Sequence, residues 1–235
     1  MNKYDVIIIG AGPSGIFCAY ELMRQKPDMK VLMIEKGRSI EKRQCPKRTT
    51  KVCVGCKPCS ITTGFAGAGA FSDGKLSLSP DVGGTLPEIL GYEKAEELIK
   101  EADNIYLKFG ADEKVYGIDD YEAIERIRAK AIRANLKLIE CPIRHLGTEE
   151  GYKIYTRLQE HLLASGVEIK FMTMVQDIII EDGVAKGVVT DKEETYYADE
   201  IVSGIGREGS SWFEGICKNH GIKTQNGTVD VGVRV

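Results

Sequence analysis

At 235 residues the chain is long enough for one large domain, or for one domain and part of another. With 43% hydrophobic and 29% charged residues, 26 Gly and 7 Pro, its composition is that of an ordinary globular protein and excludes a low-complexity or disordered one. No run approaches the roughly 18 apolar residues of a membrane-spanning helix, and the net charge of −3 hides an uneven distribution. Tyr4–Ile9 is apolar almost without interruption, the pattern of a buried strand in a parallel sheet. The run lacks the flanks of a signal peptide and reads better as a strand, so a cytoplasmic protein is expected. Gly10-Ala11-Gly12-Pro13-Ser14-Gly15 comes next, then a helix from Ile16 to Met23 and a second strand over Lys30 to Glu35.

This order of elements gives the glycines a meaning that Gly-x-Gly-x-x-Gly lacks by itself. A strand precedes them, a helix follows, and an acid, Glu35, ends the second strand 20 residues beyond Gly15. Gly10 permits the tight turn, Gly12 lets the backbone approach a pyrophosphate, and Gly15 allows the helix to pack closely on the sheet. The helix start offers unpaired N–H groups and a partial positive charge to phosphates. A carboxylate at position 35 accepts from ribose hydroxyls and repels a 2′-phosphate, which points to a dinucleotide other than NADP.

From Lys36 to Lys57 eight basic residues stand against one acid, Glu41, which reads as a solvated loop or as a segment facing something anionic. Overlapping this stretch are Cys45, Cys53, Cys56 and Cys59, four thiols within 15 residues. The C-x-x-C-x-x-C spacing points first to an iron–sulfur cluster or zinc, whose charge of about −2 the basic residues would offset. A redox dithiol at Cys53/Cys56 or Cys56/Cys59, or thiols without a task, are the alternatives. Cys18, Cys141 and Cys217 are isolated and read as packed. Gly64, Gly67, Gly69 and Gly74 then let backbone amides approach a ligand face, and Lys75 can offset negative charge.

Two amphipathic helices are predicted over Tyr92–Phe109 and Tyr121–Leu136, and a third over Ile154–Ala164. A strand at Val167–Phe171 leads to a meander of Val175–Glu181, an Asp182-Gly183 turn, Val184–Thr190 and Thr195–Tyr197. Ile201-Val202 completes it and runs into Gly204-Ile205-Gly206-Arg207. His145, beside Arg144, reads as a loop histidine ahead of a proton-transfer or anion-binding group. The fold class is therefore α/β, a Rossmann-like domain of parallel sheet, helices and β-meander. Residues 1–84 form its first part, 85–140 a helical insertion, 141–217 its return, and 218–235 the start of a second, substrate domain. Val229–Val235 looks like the middle of a strand, so a longer protein is expected.

Pro13 inside the glycine motif and Glu35-Lys36-Gly37 after the second strand resemble the FAD site of the two-dinucleotide-binding flavoprotein superfamily. The run Gly64-Phe65-Ala66-Gly67-Ala68-Gly69-Ala70-Phe71-Ser72-Asp73-Gly74-Lys75 is similar to the signature of a bacterial family of FAD-dependent dehydrogenases. His145-Leu146-Gly147-Thr148 and the terminal Val231-Gly232-Val233-Arg234 fit the same family. The resemblance implies FAD as cofactor and flavin-mediated transfer of hydride or electrons. It also implies cofactor contacts at Gly10, Gly12, Pro13, Ser14, Gly15, Glu35, Lys36, Gly67 and Gly69, at the Val175 backbone, and at Gly204 and Gly206. Partners would be a small-molecule substrate, an electron donor or acceptor, and the C-terminal remainder of the same protein. No catalytic residue is assigned, no membrane is expected, and nucleic acid is not the expected partner. An RNA-modifying flavoprotein using the basic 36–57 segment, or a non-catalytic nucleotide-binding remnant, are the readings from other classes.

Overall fold

The computed structural model describes residues 3–71, 74–227 and 232. Ser72 and Asp73 of the glycine-rich signature, and Val231, Val233 and Arg234 of the terminal run, lie outside the described residues.

The first unit is a βαβ crossover. Strand β1 (Lys3–Ile9) leads through the glycine loop into helix α1 (Pro13–Gln25) and back to β2 (Val31–Ile34), which pairs parallel to β1 with Val6 opposite Val31. A one-turn helix α2 (Lys47–Thr50) lies within the basic segment, and β3 (Lys75–Ser77) follows the glycine-rich run. Apart from two short 3-10 helices, Ile40–Lys42 and Gly67–Phe71, the described residues between β2 and β3 are mainly turns and loop, as the weak periodicity predicts.

The next segment holds α3 (Leu86–Leu90), α4 (Tyr92–Lys108), β4 (Val115–Tyr116) and α5 (Tyr121–Arg133), ahead of β5 (Ile143–His145). Helices α4 and α5 match the apolar periodicity, whereas α3 and β4 were not expected and are too short to carry a pattern of their own. Strands β3, β5 and β4 form a three-stranded antiparallel sheet in that order. Arg144, buried on β5, ties this sheet to α4: its Nε and Nη2 donate to Asp103 Oδ1 and Oδ2 at 2.5 and 2.8 Å, and its Nη1 donates to the Asp112 carbonyl at 2.6 Å. A bidentate pair removed from water in this way orients both elements.

Helix α6 (Thr148–Ala164) begins six residues before the predicted Ile154, because its first turn is Thr-Glu-Glu-Gly and carries no apolar stripe to announce it. The two glutamates lie where the helix dipole favours acids. Then come β6 (Glu168–Lys170), β7 (Val175–Glu181), β8 (Val184–Thr190) and β9 (Thr195–Ser203). Asp182 and Gly183 both take positive φ, 50° and 78°, as a tight hairpin turn between β7 and β8 requires. The two strand pieces expected at Thr195–Tyr197 and Ile201-Val202 are one strand, because Ala198-Asp199-Glu200 between them continues the pairing: Ala198 and Glu200 lie opposite Tyr4 and Val6. Helix α7 (Ser210–Asn219) closes the described core.

The main sheet has the order β6-β2-β1-β9-β8-β7. Its first four strands are parallel, and β9-β8-β7 form the antiparallel meander. One face of β1 and β2 (Val6, Ile8, Val31, Met33) packs against α1 and α6 through Ile16, Met23, Ile154 and Leu158. The other face (Ile7, Ile9, Leu32, Ile34) packs against the meander and α7 through Val175, Ile178, Val188 and Ile216. Burial on both faces explains why β1 and β2 read as continuous apolar runs rather than alternating ones. The carboxyl ends of β1, β2 and β9 thus come together, with a helix layer on one side and the meander on the other.

Candidate functional site

A cleft of about 780 Å³ opens at those carboxyl ends, a size in the range of small-molecule and cofactor pockets. Gly10, Gly12, Pro13 and Ser14 line it from the first turn, Glu35 and Lys36 from the end of β2, Gly67 from the glycine-rich run, Val175 from the start of β7, and Gly204 and Gly206 from the end of β9. Five separate stretches of sequence therefore meet in one cavity.

Each glycine there does a different job. A side chain at Gly15 would bring Cβ to 2.0 Å of the Gly10 carbonyl, and one at Gly10 would bring it to 2.9 Å of the Gly204 carbonyl. These residues seal α1 onto the strand ends, and Gly15 packs behind the cleft rather than lining it. Gly12 is the opposite case: nothing lies within 4 Å of where its Cβ would be. It is the N-cap of α1, no side chain caps that helix, and no acid occupies its first turn. The open space in front of Gly12 is therefore faced by the unsatisfied amides and the positive dipole end of the helix. A Cβ at Gly206 would also meet nothing within 4 Å, whereas one at Gly69 would come to 3.7 Å of the Tyr155 hydroxyl, off the cleft.

Glu35 is buried, and its carboxylate accepts from two backbone amides, Ala11 N at 2.8 Å and Gly37 N at 2.7 Å. It thus braces the glycine loop against the loop after β2. Each oxygen keeps a second lone pair for a ligand hydroxyl. Lys36 forms an ion pair with Glu208 of the 207–209 turn, and both side chains lie on the cleft. Burial holds the Lys36 ammonium below its ordinary range, with Glu35 opposing.

The segment after Cys59 forms the rim. Arg43 is buried inside it and donates to the carbonyls of Ser60 (3.0 Å), Ile61 (2.8 Å) and Gly67 (2.7 Å), and also to that of Phe65. Burial pushes its guanidinium down to about 10, against the pull of Glu35 and Cys59, so it stays charged at neutral pH. Ala66 N donates to the Ala11 carbonyl at 2.7 Å and fastens the rim to the glycine loop. The basic segment is thus not all solvated face: one of its arginines organises the cleft.

The four cysteines are not seen as a metal-binding group. Among the described residues no group of three or more Cys, His, Asp and Glu side chains converges on a metal-sized point. Cys45 and Cys56 are half-buried, Cys53 and Cys59 exposed, and all four are free thiols. The spacing allows three thiols to turn inward from one loop, but this backbone does not turn them so. Cys59 differs electrostatically: the amides of Thr62 and Ile61, the Thr62 hydroxyl and the Arg43 guanidinium hold its thiol below the ordinary range. His145 sits on β5 with its ring 5.2 Å from that of Tyr116, a packed position away from the cleft. His161 packs between Tyr20 and Phe109, and burial lowers it.

Sequence reasoning missed Thr62, Thr63, Ile205 and Trp212, all of which line the cleft. The threonines belong to no motif. Trp212, the single tryptophan of the chain, stood in plain sight, but its neighbours are set by how α7 returns to β7. Its Nε1 donates to the Gln176 carbonyl at 2.9 Å, and its ring packs beside the Val175 and Ile178 cluster.

The residues suit a dinucleotide: an uncapped helix start with open space for a diphosphate, a carboxylate for a ribose, and apolar walls for a base. Comparison with known proteins agrees. The FAD-dependent oxidoreductase family (DAO) matches residues 5–213. The L-amino acid deaminase of Proteus vulgaris superposes on 94% of this chain at a TM-score of 0.53 and 14% identity. Glycine oxidase of Bacillus cereus ATCC 14579 superposes on 93% at 0.53 and 17% identity. The chain spans 50% and 58% of the lengths of these two, which at such identities are alike in fold. A thiamine thiazole synthase of Coprinopsis cinerea is 52% identical over 33 residues, 14% of this chain and 10% of that protein.

Proposed function

The chain belongs to the FAD-dependent oxidoreductase family, and from that premise we propose that its cleft holds the ADP half of FAD in a flavin-dependent dehydrogenase or oxidase. The observation that carries this reading is the open space at Gly12, in front of an uncapped helix start, with Glu35 beside it. Bound flavin supplies the hydride and electron chemistry. The protein's own residues bind and orient it. The α1 amides and Gly12 receive the pyrophosphate, Glu35 accepts from the adenosine ribose, and Gly206 and Gly67 leave backbone close to the cofactor. The substrate is a small molecule, reached together with an electron donor or acceptor. Among the described residues no helix is long and apolar enough to cross a membrane.

The visible absorption spectrum of the purified protein, before and after incubation with FAD, tests the proposal. Flavin bands that survive gel filtration are expected. A colourless protein that takes up no FAD, yet is folded by circular dichroism, contradicts it.

A further inference from the structure

Trp212 is held at a definite end of the cleft. Thr173 N donates to the Glu35 carbonyl at 3.1 Å, Val175 follows two residues on and lines the cavity, and the next carbonyl, that of Gln176, takes the Trp212 indole N–H at 2.9 Å. The indole is therefore joined by a short run of backbone to the residue placed to bind ribose. Its N–H is satisfied and cannot serve a ligand, which leaves the ring itself as the surface on offer. Ile205 and Val175 add apolar wall beside it. A flat apolar face in the same cleft as a ribose carboxylate suits a planar base.

We propose that Trp212 is the positioning residue for the adenine ring, its indole face forming one wall of the base pocket. This rests on reading the cleft as the FAD site. The indole fixes where the base stops, and so sets how far the rest of the dinucleotide extends past Gly12.

Because Trp212 is the only tryptophan, its emission reports this position alone. Flavin-free protein is titrated with ADP, which carries base, ribose and diphosphate but no flavin, while calorimetry follows binding independently. Saturable change in tryptophan emission, with the same midpoint as the heats, is expected. Trp212→Leu should weaken ADP by about tenfold, the size of one base-stacking contact, while Trp212→Phe restores most of the affinity. Inorganic pyrophosphate, read by calorimetry, should bind Trp212→Leu and the parent chain alike, which a general loss of structure would not permit. ADP that binds without altering the emission, or with equal affinity in Trp212→Leu, overturns the assignment while leaving the FAD reading intact. Absence of ADP heat in the parent chain overturns both. If Trp212→Leu does not fold, the parent emission and Trp212→Phe decide the matter.

Discussion

At Gly12 a methyl group would meet no protein atom within 4 Å, and the residue already has φ −76° and ψ −179°, which alanine adopts without strain. Gly12→Ala should therefore leave the melting temperature of the flavin-free protein unchanged and strip the flavin. A flavin-to-protein ratio equal to that of the parent chain would place the diphosphate elsewhere. Glu35 differs, because its carboxylate is also a brace. Glu35→Ala removes the acceptor of two buried amides, Ala11 N and Gly37 N, so it should cost about 2 kcal/mol even without cofactor. Urea unfolding of flavin-free protein measures this; an unchanged midpoint would reduce the carboxylate to a ligand group alone. Cys59 makes a third residue-level case. With its thiol held low by the Thr62 and Ile61 amides, the Thr62 hydroxyl and Arg43, it is ionised at a lower pH than an ordinary cysteine. Its alkylation, followed peptide by peptide, should set in at lower pH than that of free glutathione, and Thr62→Val should move the onset up. An onset no lower than glutathione's would show the amides to be idle.

Among the elements, the rim segment 60–67 and the small sheet depend on buried arginines. Arg43 holds four carbonyls of that loop in place, a task a lysine's single ammonium cannot share out. Arg144 clamps β5 to α4 through Asp103. Asp103→Ala leaves a buried guanidinium without its partner and should cost about 3 kcal/mol, whereas the double change Asp103→Ala with Arg144→Met should recover a part. Equal losses in the single and double variants, by denaturant unfolding, would mean that the pair matters only for its packing volume. Helix α5 relies on neither device. Its Asp120 side chain accepts from Ala123 N at 2.8 Å and caps it, and none of its residues is buried. Its start at Tyr121 was read from apolar spacing, and the cap supplies the physical reason for it.

For the molecule as a whole, the cleft joins α1, the strand ends, the Arg43 rim and the 204–212 segment, so a ligand there bridges all of them at once. Binding to the folded chain alone stabilises it by about 2.7 kcal/mol at a hundredfold excess over Kd. FAD should accordingly raise the melting temperature, ADP should do so in part, and riboflavin, which lacks the ADP half, should do little. A larger shift with riboflavin than with ADP would move the grip away from Gly12 and Glu35. The βαβ unit and the hairpin at Asp182-Gly183 were open to reading because their causes are local: an apolar run, glycines at set offsets, a turn needing two positive φ angles. The start of α6 was not, since Thr148-Glu149-Glu150-Gly151 has no apolar period, nor was the continuity of β9, whose pairing with β1 spans nearly 200 residues of sequence. Arg43 and the cysteines show the same divide more sharply. Spacing allowed four thiols to converge and a basic run to stay solvated. Direction and burial depend on the path of the backbone between distant segments, and that path buried Arg43 beneath the rim while leaving Cys53 and Cys59 facing outward.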